Sequence, residues 1–516
     1  MYTAISYCAG DPKHTRVLVV NGLPFNAFAN LLQAIEETCF NLLDSGRNKN
    51  EKVSVWVDQI CINQSDPQER AEQVNFMYEI YQSALNVAVC LTTHEFAQDL
   101  ATRQSDRAIR CIEQVHKDVP HLVRFLASAQ DSCSETWKSV SNEKEETSSQ
   151  LNTYLQAAVE DEDFALGWLD VQRMRRMPWF SRAWVLQEYA SHQDVVFLFA
   201  WQHIVARKLA AVLLAYLWRG KVSTAVEQKM VQIHGDLDAL STNSQRAGPN
   251  QGTNPSSFSS DQNVYNTLKS KSYISQQRRP LIDLLDHSRM AIASDKRDHI
   301  YSCLGLAEQT YGIRPYYGQD VSVEDLFTNI MRLLLLNTKD INLIERASTA
   351  FSGYSETLPS WVPDWRRPIT LADAKYYYDR YDKEVHTIGE STAHIMFLGD
   401  GKILETKGVL MDSLVGEVEV HVWCGKRIER IYTLRSPQNV SSLPHAHVET
   451  WPPRKGDEVW KLCGSNRLFL LRKDGERHVF LRGVHVSNVE NMEIEHGGFT
   501  ESDVDLERQR KTLWIH

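Results

Sequence analysis

The chain has 516 residues, of which 42% are hydrophobic and 24% charged. That is an ordinary globular composition on a chain too long for one compact core, so roughly two to three domains are expected. Its net charge of −10 and the lack of any long Lys/Arg block exclude nucleic acid as the main partner, because phosphate binding needs a concentrated basic face.

The longest apolar run, AAVLLAYLW (210–218), is too short for a membrane span, and the opening MYTAISYCAG has no basic stretch leading into an apolar one. Nine cysteines lie at 8, 39, 61, 90, 111, 133, 303, 424 and 463 with no CxxC pair. An odd, scattered set predicts reduced thiols in the cytoplasm or nucleus, used mostly as small core hydrophobes, with cytoplasmic the preferred location.

In chain order, VLVVNG (17–22) reads as a strand into a turn, and FANLLQAIEETCFNLLD (28–44) carries apolar residues at helical spacing. VSVWVDQICI (53–62) has the composition of a buried strand. Asp66-Pro67-Gln68-Glu69 then predicts a helix start with Asp66 as cap and Pro67 at the first helical position. That helix places Val74, Met77, Tyr81 and Ala84 on one face, and NVAVCLT (86–92) resumes as a strand. Alternating strands and helices predict a parallel sheet with helices on its faces.

Residues 97–165 read as a helical insertion interrupted by the polar run 138–150. The α/β pattern returns with MPWFSRAWVLQEYA (177–190) and DVVFLFAW (194–201). Residues 241–263, rich in Ser, Asn, Gly, Gln and Pro, read as a flexible linker. Helices are expected around 280–307 and 325–336, and LPSWVPDWR (358–366) as an extended segment whose Trp361 and Trp365 anchor packing. KILETKGVLM, DEVWKLCG, RLFLLRK and RHVFLRGV read as short antiparallel strands. The expected division is 1–205 for the α/β domain, 206–345 for a helical region, and 346–516 for a mixed region ending in a small β unit.

Several stretches carry a family resemblance: YTAISYCAGDP (2–12), VNGLPFNAFANLLQAI (20–35), VWVDQICINQSDPQERAEQVNFMYEIYQSA (55–84), PWFSRAWVLQE (178–188), RDHIYSCLGLA (297–307), LPSWVPDW (358–365) and the closing GDEVWKLCGSNRLFLLRKDGERHVFLRGV (456–484). Together they resemble the HET domain of fungal heterokaryon-incompatibility proteins. Two departures stand out. The family's Ser-Tyr-x-Trp-Gly has Ala9 in place of Trp, and the chain begins almost at that motif, without the leading strand most members carry.

The resemblance implies a role in allorecognition and programmed cell death. It also implies a TIR-like, flavodoxin-like parallel sheet, and some TIR domains cleave NAD with a catalytic glutamate. Trp184 and Glu188 match that pattern, and their spacing of four places both on one helix face.

In such sheets ligands sit beyond the carboxyl ends of the strands. Asp58 falls at such an end, beside the loop carrying Ser6, Tyr7 and Gly10. Asp58 either bonds a ligand's ribose or caps backbone N–H groups in its own turn. Asn63 and Gln64 read as loop braces, Cys61 as a packed thiol, and Arg70 as one half of a salt bridge. Glu188 interrupts an apolar run, where a charge needs a partner; it either stabilises a cationic ribose or pairs with Arg182.

No phosphate-loop, GxGxxG, GxSxG or HExxH pattern occurs, and His445/His447 have no third ligand, so no metal or resident cofactor is expected. Two readings remain open. One is an NAD-hydrolysing effector with NAD as substrate. The other is a non-enzymatic signalling module, or an inactive relative, that works through self-association and protein partners.

Overall fold

The computed structural model describes residues 2–44, 52–93, 101–121, 149–151, 153–217, 264, 267–268, 270–271, 278–348, 355–367, 393–421, 428–434, 440–442, 453–465, 467–487 and 510–516. The expected linker 241–263, nearly all of the polar run 138–150 and the His445/His447 pair lie outside these residues. The chain divides into two compact units, Met1–Thr310 with Arg314–Tyr317, and Tyr311–Ile313 with Gly318–His516.

Among the described residues the first unit holds seven strands: β1 (Thr3–Tyr7), β2 (Thr15–Val20), β3 (Leu23–Phe28), β4 (Val55–Trp56), β5 (Asn86–Cys90), β6 (Val195–Phe199) and β7 (Gln202–Val205). Five of them form one sheet in the order β4-β1-β5-β6-β7. The first four run parallel, and β7 returns antiparallel to β6. The mixed α/β architecture with a parallel sheet flanked by helices is therefore as the alternating pattern predicts.

Side chains alternate across this sheet as the strand period demands. Ile5, Tyr7 and Cys90 pack with Leu31 and Ala34 of the helix Ala29–Asp44 on one face. Ala4, Val87, Val89, Phe197 and Phe199 join the larger core, which includes Trp168 and Trp179, on the other. Strands apolar on both faces are what a doubly covered parallel sheet requires.

Two local readings need correction. VLVVNG does not enter the parallel sheet: among the described residues β2 pairs with β3 alone, as a separate hairpin turned by Asn21 and Gly22, both at positive φ. Asn-Gly is the preferred pair for such a turn, and it overrode the strand-helix alternation. Val17 and Val19 are accordingly 67% and 75% exposed.

The run 53–62 is not one buried strand either. Only Val55 and Trp56 pair, both half-buried at the sheet edge, and Asp58–Cys61 forms a helical turn. Asp58 Oδ1 accepts the backbone N–H of Gln59 at 2.7 Å, the local side-chain bond by which Asp competes with strand pairing. Cys61 is exposed rather than packed, because it ends that turn.

The helix Pro67–Asn75 starts as its sequence dictates. Asp66 Oδ1 accepts from the N–H groups of Gln68 and Glu69 at 2.9 and 3.2 Å, and Glu69 reaches back to the Asn63 N–H at 2.9 Å. Among the described residues no helix is long and apolar enough to cross a membrane.

Among the described residues of the second unit, eight strands form a mostly antiparallel sheet: β8 (Met396–Leu398), β9 (Ile403–His421), β10 (Ile428–Leu434), β11 (Val440–Ser442), β12 (Glu458–Leu462), β13 (Leu468–Asp474), β14 (Arg477–Ser487) and β15 (Lys511–Ile515). The strands read near the chain's end fall on β9, β12, β13 and β14. Trp361 and Trp365 are fully buried, their rings 5.2 Å from Phe397 and 5.1 Å from Phe327.

Replacing Asp66 by Ala removes both cap bonds and is expected to lower stability by about 1 kcal/mol, read as a shift in the urea midpoint of the full chain. An unchanged midpoint would mean the cap contributes nothing.

Candidate functional site

The carboxyl ends of β1 and β4 bring polar side chains together against the helix Val185–Ala190. Ser6, on the larger-core face of β1, is buried and donates its hydroxyl hydrogen to Glu188 Oε2. The same hydroxyl accepts the indole N–H of Trp179 at 2.6 Å. Trp179 is fully buried among Phe180, Phe197 and Tyr189, with ring separations of 5.1, 5.5 and 6.4 Å. Ser6 is thus held from one side by a rigid aromatic cluster and offers its proton to the carboxylate on the other.

Arg182 completes the set. Its Nη1 donates to Glu188 Oε2 at 3.2 Å and to the carbonyl oxygen of Tyr7. The Arg182 backbone is extended and tied on both sides to Ile292, through Ala183 N–H to Ile292 O at 3.1 Å and Ile292 N–H to Ser181 O at 2.6 Å. The Arg182 side chain is 21% exposed, while Glu188 is 2% exposed. The pairing of Glu188 with Arg182, one of the two alternatives open from the sequence, is the one observed.

Asp58 and Tyr7 form the other wall. The Tyr7 hydroxyl bonds the Asp58 carboxylate, and burial followed by the Asp58 charge drives the phenol pKa far above its ordinary value. The same aspartate braces its own turn through Gln59, so the loop-organising role is also present. Asn63 and Gln64 act as braces, Asn63 Oδ1 accepting from Ser65 N–H at 3.2 Å and Gln64 Nε2 donating to Asp58 O at 3.4 Å. Tyr81 donates to Ile5 O at 3.2 Å beneath the cluster.

These groups are one electrostatic unit. Burial raises the Glu188 pKa most, Arg182 and the Ser6 bond pull it down, and the Asp58 charge pushes it up; the net direction is upward. For Arg182 burial works against the charge, and the neighbouring Glu188 outweighs it, so the guanidinium stays firmly protonated.

Of the residues singled out from the sequence, Ser6, Tyr7, Asp58 and Glu188 meet here. Gly10 lies in the loop after β1 at φ +82, where an added Cβ would sit 2.6 Å from Asn30 Nδ2, the group that bonds Cys8 O. Its recorded neighbour is Asn30 rather than either carboxylate. Trp184 precedes the Glu188 helix and bonds Asp298. Asp298 also accepts the Tyr317 hydroxyl at 2.6 Å and lies 3.6 Å from Arg70, whose guanidinium stacks 3.7 Å from the Tyr317 ring centre.

Trp184 therefore belongs to a second polar cluster, and Arg70 is the salt-bridge partner expected of it. Trp179 escaped sequence reasoning, as did the anchoring role of Tyr81. A tryptophan in a Pro-Trp-Phe run looks like any core anchor, and nothing in its spacing reveals a hydrogen bond to a serine far earlier in the chain. Among the described residues no group of three His, Cys, Asp or Glu is placed to hold a metal ion.

Two outcomes test this geometry. Ser6→Ala strands the Trp179 N–H and removes a donor from a buried carboxylate, and should cost about 1–3 kcal/mol in denaturant unfolding; an unchanged stability would show that the chain of bonds is not made in solution. Burial raises the Asp298 pKa from 3.8 to about 6. The folded state then holds this proton longer than the unfolded one, so its contribution to stability is present below pH about 4 and is lost as pH rises through about 6. The stability advantage of the natural chain over Asp298→Asn should shrink by about 2–3 kcal/mol between about pH 4 and 7. A gap independent of pH would contradict it.

Comparison with known proteins supplies the family. Residues 2–188 match the family described as heterokaryon incompatibility protein (HET). The chain is 26% identical over 394 residues to heterokaryon incompatibility protein 6, OR allele, of Neurospora crassa, an alignment covering 71% of this chain. It covers 54% of that relative, so the chain spans about half the relative's length. No solved structure matches. The matched span contains Ser6, Tyr7, Asp58, Trp179, Arg182 and Glu188, so the polar cluster lies within the part of the chain, residues 2–188, that matches the HET domain.

Proposed function

We propose that this chain is an effector of heterokaryon incompatibility and regulated cell death, and that its HET domain has a TIR-like fold and hydrolyses NAD to nicotinamide and ADP-ribose. The role in incompatibility rests on the family and on the relative's name. The observation carrying the chemistry is the convergence of Glu188 and Asp58 at the carboxyl ends of parallel strands, where sheets of this kind take ligands.

The reaction needs little from the protein. The nicotinamide ring is already cationic, so it departs with the electron pair of the ribose C1′–N bond and requires no general acid. Glu188 stabilises the positive charge that develops on the ribose. Asp58 holds the ribose hydroxyls, Ser6 and Tyr7 line the site, and Gly10 keeps the adjoining loop close to Asn30. Water adds to C1′ and releases a proton to solvent. Trp184, at the start of the Glu188 helix, serves the site indirectly through its bond to Asp298.

One observation favours a second reading. Glu188 is 2% exposed and already satisfied by Arg182 and Ser6. A carboxylate used only to hold a helix would look the same, and the domain would then act through self-association or protein partners.

The deciding measurement is nicotinamide release from NAD by the full chain over a wide range of protein concentration. Release that falls at least about 100-fold in a folded Glu188→Gln variant supports hydrolysis. A folded chain that releases nothing at any concentration leaves only the interaction module.

A further inference from the structure

We propose that Arg182 is a latch over Glu188 that a ligand's diphosphate opens, while a cationic ring on the same ligand takes the guanidinium's place beside the carboxylate. This rests on the reading of the cluster as a ligand site.

Arg182 is anchored through its backbone. Its backbone is fixed by the two bonds to Ile292, so the side chain is the part free to move. Among the described residues its recorded hydrogen bonds, to Tyr7 O and to Glu188, both use Nη1. Nε and Nη2 make none among these residues, and the side chain is 21% exposed. A planar guanidinium with two donors to spare and access to water is suited to grip a phosphate bidentately.

Glu188 imposes the second condition. A carboxylate this deeply buried cannot lose its counter-charge cheaply. A ligand bearing only an anion draws Arg182 away and leaves Glu188 to take up a proton. A ligand bearing an anion and a cationic ring exchanges partners and leaves Glu188 ionised. The site therefore favours ligands carrying both charges, such as an oxidised nicotinamide dinucleotide, over the reduced form, whose ring is neutral. The other titratable groups around the pair are Asp58, Tyr7, Tyr81 and Cys8.

The test is calorimetric binding of two ligands that are not hydrolysed, each measured in buffers of different ionisation enthalpy near neutral pH. One is ADP-ribose; the other is carbocyclic NAD, which keeps the cationic ring on an uncleavable linkage. The natural chain should take up a proton with ADP-ribose and close to none with carbocyclic NAD. Glu188→Gln should erase that difference while still binding. Arg182→Gln should weaken both ligands at least tenfold. The double variant Arg182→Gln/Glu188→Gln, which leaves no buried charge unpaired, should remain weak even where the single variant folds poorly.

Equal proton exchange for the two ligands, tight binding by the double variant, or no binding by the natural chain would each overturn the latch. Nicotinamide release separates the two proposals. Proton-linked binding without release leaves the latch standing and removes hydrolysis. Glu188-dependent release that Arg182→Gln does not alter removes the latch and leaves hydrolysis standing.

Discussion

A carboxylate 2% exposed at the end of a parallel sheet is the constraint around which the HET domain's polar residues are arranged. Buried and unpaired, Glu188 would cost several kcal/mol. It is retained because two segments far apart in sequence meet at it: the end of β1 through Ser6, and the stretch just before its own helix, through Arg182 directly and through Trp179 by way of the Ser6 hydroxyl. Each bond also fixes backbone. Arg182 caps the Tyr7 carbonyl where β1 leaves the sheet, and Tyr81 caps Ile5 two residues earlier. The strand end is thus defined by side chains as much as by its parallel neighbours.

The helix Val185–Ala190 is too short to be stable alone, since a single turn gains few hydrogen bonds for the residues it orders. Its neighbours hold it from several directions. Glu188 reaches β1 and Trp184 reaches Asp298, while Gln187 Nε2 donates to Ser302 O at 2.9 Å. Gly305 permits that last approach, because a Cβ there would lie 2.8 Å from Gln187 Oε1. The carboxylate cluster and the Arg70–Asp298–Tyr317 cluster are therefore joined through one short helix.

Much of this was legible in the sequence, and the exceptions have physical causes. Apolar runs identify β5 and β6 and the helix between β3 and β4, because burial leaves a plain compositional trace, whereas β1 was missed: Ser6 and Tyr7, read as loop residues, lie in the strand Thr3–Tyr7. Asp66-Pro67 marks a helix start because capping is local. The failures occurred where a local bond outweighed that pattern. Asn21-Gly22 folded VLVVNG into a hairpin, and Asp58 curled the end of VWVDQICI into a helical turn. At the site, Glu188 drew notice as a charge in an apolar run, and Arg182 as a nearby cation. Trp179 and Tyr81 did not, because a hydrogen bond across the fold between an aromatic residue and a strand has no signature in spacing. Trp184 shares a helical interval with Glu188, yet its bond goes to Asp298, a residue whose position only the tertiary fold determines.

The proposed function depends on whether the carboxyl ends of β1 and β4 receive a ligand. A crystal structure of the full chain with ADP-ribose tests this most directly. Ribose hydroxyls are expected within hydrogen-bonding distance of Asp58, with the diphosphate on Arg182 and the Arg182–Glu188 bond broken. ADP-ribose bound elsewhere, with that bond intact, would contradict it and leave Glu188 as a structural residue of a signalling module.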